Sequence, residues 1–126
     1  MNKTLLVIED NPDNFYLMKF LLEKSGFNII GAENGKLGIE MAVQYLPRAI
    51  LLDIQLPEMD GYSVAVELKN KKVLAGIPII VVTSYAMPGD KEKAIESGAD
   101  GYIEKPISPE TFVSEILEFL PEIMEK

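Results

Sequence analysis

The sequence contains polar residues that each follow a short apolar run, and their side chains together could carry out chemistry on phosphorus. In chain order they are Glu9, Asp10, Asp53, Thr83 and Lys105. If the apolar runs are parallel strands, their carboxyl ends meet at one edge of the sheet, where ligands bind in open α/β folds. Three neighbouring carboxylates repel one another unless a cation lies among them. Mg²⁺ fits such a group, because it prefers oxygen ligands and keeps several waters.

With a cation in place, Asp53 can act as an oxygen nucleophile toward phosphorus and form an aspartyl phosphate. Lys105 and Thr83 can then bind other phosphoryl oxygens and stabilise the charge of the transfer step. Taken singly, each residue also has a structural explanation, since Asp10 can cap a helix, Thr83 suits a strand and Lys105 suits a solvated loop. It is their combination at the ends of several strands that indicates a site.

Composition is typical of one globular domain, with 126 residues of which 48% are hydrophobic and 25% are charged. We therefore expect residues 1–126 to form a single domain. The formal net charge of −8 argues against binding to nucleic acid or to an anionic membrane. Because cysteine and histidine are absent, thiol nucleophiles, imidazole bases and Cys/His zinc sites are excluded. The sequence has no apparent transmembrane span or signal peptide, so we expect a cytoplasmic protein.

Strand and helix patterns alternate along the chain. Unbroken apolar runs at residues 5–8, 49–52 and 77–82 predict strands buried on both faces, and weaker patterns at 27–32 and 101–104 complete a set of five. Helices are predicted at residues 11–25, 35–46, 61–70 and 90–96, with a last one from Ser108 to Pro121. This alternation predicts a three-layer α/β/α sandwich around a parallel sheet.

The first helix has more apolar residues than one buried face needs. Its predicted inner stripe consists of Leu17, Met18, Leu21 and Leu22. Phe15 and Tyr16 fall outside this stripe and beside the acidic residues.

Four segments of the chain resemble response-regulator receiver domains, the CheY-like phosphoacceptor modules of two-component signalling. They are VIEDNP (7–12), LLDIQLPEMDG (51–61), VTS (82–84) and GADGYIEKP (98–106). The resemblance extends over essentially the whole chain. The fold that it implies is a five-stranded parallel sheet in the order 2-1-3-4-5 with five helices.

The resemblance also implies a metal site. Glu9 and Asp10 correspond to the acidic pair that binds Mg²⁺ in receiver domains. Asp53 corresponds to the phosphorylated aspartate, itself a metal ligand, and Gln55 would add its backbone carbonyl. Glu9 stands where the family more often has aspartate, so its longer side chain would extend toward the metal or leave room for a water.

The same resemblance implies a conformational switch. Thr83 corresponds to the switch hydroxyl that bonds to the phosphoryl group, Lys105 to the ammonium that pairs with it, and Tyr102 to the aromatic ring that moves on activation. A cis peptide bond is expected before Pro106. Tyr85 and Gln55 occupy positions that tune the lifetime of the phosphate in the family.

The implied function is to accept a phosphoryl group from a sensor histidine kinase or a histidine phosphotransferase. The output would be a change of protein partner at a surface formed by helix 4, strand 5 and helix 5. Phe15 and Tyr16 lie where receivers dock the donor's helical bundle, with core packing as the alternative explanation. Residues 9–14 and 84–90 are most similar to stand-alone phosphorelay receivers and to receivers of hybrid kinases. We expect a monomer or weak dimer with no output domain.

Three alternatives follow from the same residues. A Mg²⁺-dependent phosphohydrolase with an aspartate nucleophile would usually place a second acid two residues later, where this chain has Gln55. An FMN-binding protein of similar fold would need a phosphate loop after the first strand, but the acidic segment 9–14 repels phosphate without a metal. The third alternative is a receiver-shaped interaction module that is never phosphorylated.

Overall fold

Five parallel strands form the central sheet of the computed structural model, which describes residues 2–84 and 88–120. The strands are β1 (Thr4–Ile8), β2 (Asn28–Ala32), β3 (Ala49–Leu52), β4 (Ile79–Thr83) and β5 (Gly101–Glu104). Their order across the sheet is β2-β1-β3-β4-β5, and each neighbouring pair is parallel. The five predicted strands, their order and the α/β class are confirmed.

Helices connect the strands. They are α1 (Pro12–Lys24), α2 (Gly35–Tyr45), α3 (Gly61–Asn70), α4 (Asp90–Glu96) and α5 (Phe112–Leu117), with a 3-10 turn at Lys72–Leu74. The side chains of Asn11, Asn34 and Asp60 each accept a hydrogen bond from a backbone N–H in the first turn of α1, α2 and α3. These caps satisfy donors that the helix itself leaves unpaired, and they start each helix at a defined residue.

The last helix begins later than the sequence pattern predicts. Ser108 does not cap a helix, because its hydroxyl donates to the Glu110 carboxylate at 2.9 Å. The Ser108 carbonyl accepts from the N–H groups of both Thr111 and Phe112, so the chain makes a turn before regular α-helix starts at Phe112. The predicted start at Ser108 was therefore wrong by one turn.

The sheet is covered on both faces. Alternate residues of β1 point to opposite sides, with Leu5 and Val7 in the core beneath α1 and α5, and Leu6 and Ile8 in the core beneath α2 and α3. α4 covers a smaller cluster around Val81 of β4. Three layers result, as predicted.

α1 buries most of the predicted stripe. Met18 and Leu22 are fully buried and Leu21 packs partly into the core, as predicted, but Leu17 is exposed and Phe15 packs partly into the core instead. The ring of Phe15 occupies the space beside Gly31 of the edge strand β2, where any Cβ atom would lie within 2.5 Å of the ring. Phe15 is therefore a packing residue, whereas Tyr16 is exposed.

Two positions singled out in the sequence, Tyr85 and Pro121, lie outside the described residues. Within residues 2–84 and 88–120, every helix is too short or too polar to cross a bilayer.

Candidate functional site

Strand register brings the predicted site residues to one edge of the sheet. β1 and β3 pair with Ile8 opposite Leu52, and the N–H of Asp53 donates to the Ile8 carbonyl at 3.0 Å. Glu9 and Asp53, which follow these strands, are therefore neighbours. β4 and β5 bring the other pair together in the same way, since the N–H of Lys105 donates to the Thr83 carbonyl at 2.8 Å.

Three carboxylates converge at this edge. Oxygens of Glu9, Asp10 and Asp53 all lie within 4.8 Å of one another, and Glu9 and Asp53 are buried while Asp10 is exposed. The second oxygen of Glu9 accepts a hydrogen bond from the N–H of Asn11 at 3.2 Å. The acidic group predicted from the sequence is thus assembled, with an open side at Asp10.

Lys105 supplies positive charge to the cluster. Its ammonium donates to Glu9 Oε1 in a short contact and lies 3.5 Å from Asp53 Oδ2. The side chains of all three residues are at least nine-tenths buried. One ammonium can balance only part of the negative charge of three carboxylates. The remainder is costly to bury without a further positive charge.

The carboxyl group of Glu9 has a raised pKa. Burial raises its pKa from 4.5 to about 7, and the nearby Asp53 carboxylate reinforces the shift, while the hydrogen bond from Lys105 opposes it. Near neutral pH the cluster therefore takes up a proton readily, or a cation in its place.

The peptide after Asp53 is held close to its carboxylate. The N–H of Gln55 donates to Asp53 Oδ1 at 3.1 Å, and the N–H of Gly61 donates to the Ile54 carbonyl at 2.7 Å. A Cβ atom on Gly61 would come within 2.5 Å of the Asp53 carbonyl oxygen and the Ile54 Cα atom. Close backbone approach by Gly61 thus positions the acceptor loop, and the turn pair Asp60-Gly61 was its sequence signal.

Replacement of Gly61 by alanine should therefore destabilise the protein by about 1–3 kcal/mol, because the clash is with backbone and cannot be relieved by a side-chain rotation. The midpoint of unfolding in urea measures this loss. Gly76→Ala is the matched control, since nothing lies within 4 Å of the Cβ position of Gly76. Equal midpoints for the two variants would contradict the packing role assigned to Gly61.

Thr83 and Tyr102 lie on the side of the site that faces α4. Thr83 is fully buried at the end of β4. Tyr102 is half-buried on β5 and packs against Val81, Ala94 and Ala99. The Tyr102 hydroxyl is buried and has no hydrogen-bond partner among the described residues. The peptide bond between Lys105 and Pro106 is cis, as expected.

This fold and this acidic edge define an α/β domain with a carboxylate cluster at the carboxyl ends of its strands, and comparison with known proteins identifies its family. Residues 5–117 match the response regulator receiver domain family. The chain belongs to that family and is a receiver domain of the two-component response-regulator type. Receiver domains are signalling proteins rather than conventional enzymes; they bind Mg²⁺ at an acidic cluster and interact with histidine kinases and downstream targets.

Two related response regulators are similar to this chain over nearly their full length. The chain is 41% identical over 120 residues to the polar-differentiation response regulator DivK of Brucella anthropi, covering 95% of this chain and 98% of that protein. DivK of Brucella ovis is 40% identical over the same length.

Solved structures give the same result. The receiver domain of a signal transduction histidine kinase from Syntrophus aciditrophicus is similar with a TM-score of 0.87 and 30% identity, covering 98% of this chain and 94% of that one. The receiver domain of a sensor histidine kinase from Pseudomonas aeruginosa has a TM-score of 0.87 and 27% identity, covering 96% and 99%. That second structure has a magnesium ion coordinated in its active-site cleft.

Proposed function

We propose that this receiver domain accepts a phosphoryl group on Asp53, with Mg²⁺ bound by the adjacent acidic residues, and signals through phosphorylation-dependent protein contacts. The observation that carries the proposal is the environment of the Asp53 carboxylate. One oxygen accepts the Gln55 N–H, and the other faces the Lys105 ammonium inside a cluster of acids. A structural aspartate would not require this arrangement.

The residues present fit Mg²⁺. Glu9, Asp10 and Asp53 offer oxygens within 4.8 Å of one another. Burial, reinforced by the Asp53 carboxylate, raises the pKa of Glu9, and a bound cation would favour its charged form. The exposed position of Asp10 leaves that side of the site open to water. The backbone carbonyl of Gln55 remains the predicted fourth protein ligand. When bound, Mg²⁺ would supply Lewis-acid stabilisation of the negative charge on the phosphoryl oxygens.

In the transfer step, a carboxylate oxygen of Asp53 forms a bond to phosphorus while the bond from phosphorus to the donor's imidazole nitrogen breaks. The electron pair of the broken bond stays on that nitrogen. The hydrogen bond from Gln55 keeps one Asp53 oxygen in place, which leaves the other for the attack. The Lys105 ammonium, 3.5 Å from that second oxygen, would stabilise the charge that the phosphoryl group brings.

The output is a change in surface. Thr83 would bond to the phosphoryl group, and Tyr102 would follow by changing its ring position, which biases the surface of α4, β5 and α5 between two states. The Tyr102 hydroxyl is buried and has no hydrogen-bond partner in residues 2–84 and 88–120, which supports this role, because a tyrosine so placed gains a hydrogen bond by moving. We propose one domain, monomeric or weakly dimeric, whose partners are proteins.

The donor would dock beside α1. A groove of about 350 Å³ opens next to Glu9 and Asp10, and the ring of Tyr16 forms part of its wall. Tyr16, Leu17 and Phe20 expose 65%, 40% and 58% of their surface along the adjoining face of α1. An apolar stripe next to the acceptor suits a helical bundle that carries the phosphohistidine. A sensor histidine kinase or a histidine phosphotransferase is such a donor.

Incubation with acetyl phosphate and Mg²⁺ should add one phosphoryl group to the protein, detected as a single mass increment by intact mass spectrometry. We expect no increment without Mg²⁺, and none in Asp53→Asn, because the amide lacks the nucleophilic carboxylate. Asp13→Asn is the matched control, since Asp13 is an exposed aspartate in the first turn of α1 and should leave phosphorylation unchanged.

Other outcomes would favour two of the three alternatives, the phosphohydrolase and the interaction module. Continuous release of phosphate from small phosphate esters would support a phosphohydrolase. A folded protein that binds Mg²⁺, gains no mass and releases no phosphate would be an interaction module that works without phosphorylation. An increment that persists in Asp53→Asn would place the acceptor elsewhere.

A further inference from the structure

A polar link joins α3 to the first turn of α4. The hydroxyl of Tyr62 in α3 donates to Asp90 Oδ1 at 3.0 Å, and Asp90 is the first residue of α4. The ammonium of Lys93, one turn further along α4, lies 4.4 Å from the centroid of the Tyr62 ring. One tyrosine therefore contacts two positions of α4, one turn apart, by two different interactions.

α4 is a short helix with a small buried face. It is seven residues long, its N-cap residue Gly89 makes no side-chain capping bond, and Ala94 is its fully buried residue. Ile95 is exposed to more than half of its surface. A helix this short with so small a buried face depends on specific contacts to stay in place. The link from Tyr62 is thus a specific contact that holds its first turn against α3.

The link lies beside Tyr102. Tyr62 and Tyr102 pack against the same small cluster of Val81, Ala94 and Ala99. Burial, together with the carboxylates of Asp90, Glu104 and Glu92, raises the pKa of Tyr102, and burial with the Asp90 hydrogen bond raises the pKa of Tyr62 to about 12. Both hydroxyls are therefore protonated donors near one carboxylate, but it is Tyr62 that donates to it.

We propose that Tyr62 is a positioning residue that ties the first turn of α4 to α3, and that this link opposes the movement of α4 and Tyr102 on activation. The first part concerns the resting structure alone. The second part rests on the proposed function. The hydroxyl of Tyr62 donates to a partly exposed carboxylate. Loss of this hydrogen bond should therefore change the equilibrium between the closed and open positions of α4 about five- to tenfold.

The experiment measures both parts in Tyr62→Phe, which keeps the ring and removes only the hydroxyl. Amide hydrogen exchange of residues 93–97, without phosphodonor or Mg²⁺, reports opening of α4. We expect about five- to tenfold faster exchange in this helix and an unchanged exchange rate for the amides of the β-sheet. Calorimetric titration with beryllofluoride and Mg²⁺ reports the activated state, because beryllofluoride mimics a phosphoryl group on a carboxylate. If the link is specific to the resting state, affinity for this mimic should rise by a similar factor.

Two further variants make the result specific. Tyr45→Phe removes the same hydroxyl from an exposed tyrosine of α2 and should change neither measurement. Lys93→Met removes the cation over the ring, and it should shift both measurements in the same direction as Tyr62→Phe, by a smaller factor.

Unchanged exchange of α4 in Tyr62→Phe would overturn the positioning role. Faster exchange with unchanged or weaker affinity for beryllofluoride would overturn the claim that the link opposes activation. If the wild-type protein fails to bind beryllofluoride at all, the proposed function fails, and the exchange result still decides whether Tyr62 positions α4.

Discussion

Lys105→Met should slow phosphorylation of Asp53 by about 100-fold or more, because removal of one preorganised donor from a charge-stabilising site typically has that effect. The ammonium is buried between Glu9 and Asp53, and methionine fills similar volume without charge. The rate of mass gain with acetyl phosphate at saturating Mg²⁺ measures the loss. Lys105→Arg keeps the charge but spreads it over a planar fork, so it should recover only part of the rate.

Lys72→Met is the control for this variant. Lys72 is an exposed residue of the 3-10 turn after α3, at the opposite end of the sheet from Asp53, and its loss changes the net charge by the same amount. Its phosphorylation rate should equal that of the wild type. A rate in Lys105→Met within a factor of three of the wild type would show that the ammonium does not act on the phosphoryl group.

The stability of the metal-free protein should fall as pH rises from about 5 to about 8. The pKa of Glu9 is 4.5 in the unfolded chain and about 7 in the folded protein. Between these values the folded state binds more protons than the unfolded state, so the free energy of unfolding decreases with rising pH. A shift of this size corresponds to at most about 3 kcal/mol, lost by the time pH passes the folded pKa. Urea unfolding at several pH values in the presence of a chelator measures it.

Glu9→Gln tests the assignment of this slope. The variant should match the wild type near pH 5, where the folded carboxyl group is protonated, and should be more stable near pH 8. Glu67→Gln changes an exposed glutamate of α3 and should retain the wild-type slope. Added Mg²⁺ should stabilise the wild type most at high pH, because binding to the folded state adds stability by mass action. A slope that persists in Glu9→Gln would place the titrating group elsewhere.

The choice between a receiver and a phosphohydrolase depends on the residue two positions after Asp53. Gln55 has no group that could act as a general acid, and its backbone N–H is already engaged with the Asp53 carboxylate. An aspartyl phosphate formed here would therefore lack the proton donor that assists turnover in such enzymes. This favours a phosphate that lasts long enough to signal.

Much of the fold could be predicted from local patterns. Continuous apolar runs in β1, β3 and β4 are found where a strand is buried on both faces, and cap residues before α1 and α3 mark their starts. These signals work because strand burial and helix capping depend on neighbours close in sequence. The start of α5 was predicted wrongly, because the Ser108 side chain bonds to Glu110 rather than to the helix.

The buried face of α1 could be predicted only in part. The helix is apolar on several sides, so its periodicity does not choose between Leu17 and Phe15. The choice depends on β2, where Gly31 leaves room for the Phe15 ring. Leu17 consequently joins the exposed stripe that we assign to the phosphodonor.

The sequence by itself determined which chemical groups are available: an acidic pair after one strand, an aspartate after a second, a hydroxyl and an ammonium after two more. Parallel alternation also placed them at one edge, because strand direction fixes which ends meet. Only the tertiary structure decided the charge state of these groups and the contacts that hold them. Burial raises the pKa of Glu9, Lys105 compensates part of the negative charge, and Tyr62 of α3 donates a hydrogen bond to Asp90 of α4. Those properties depend on distances between residues far apart in the chain and on the exclusion of water, which no local pattern encodes.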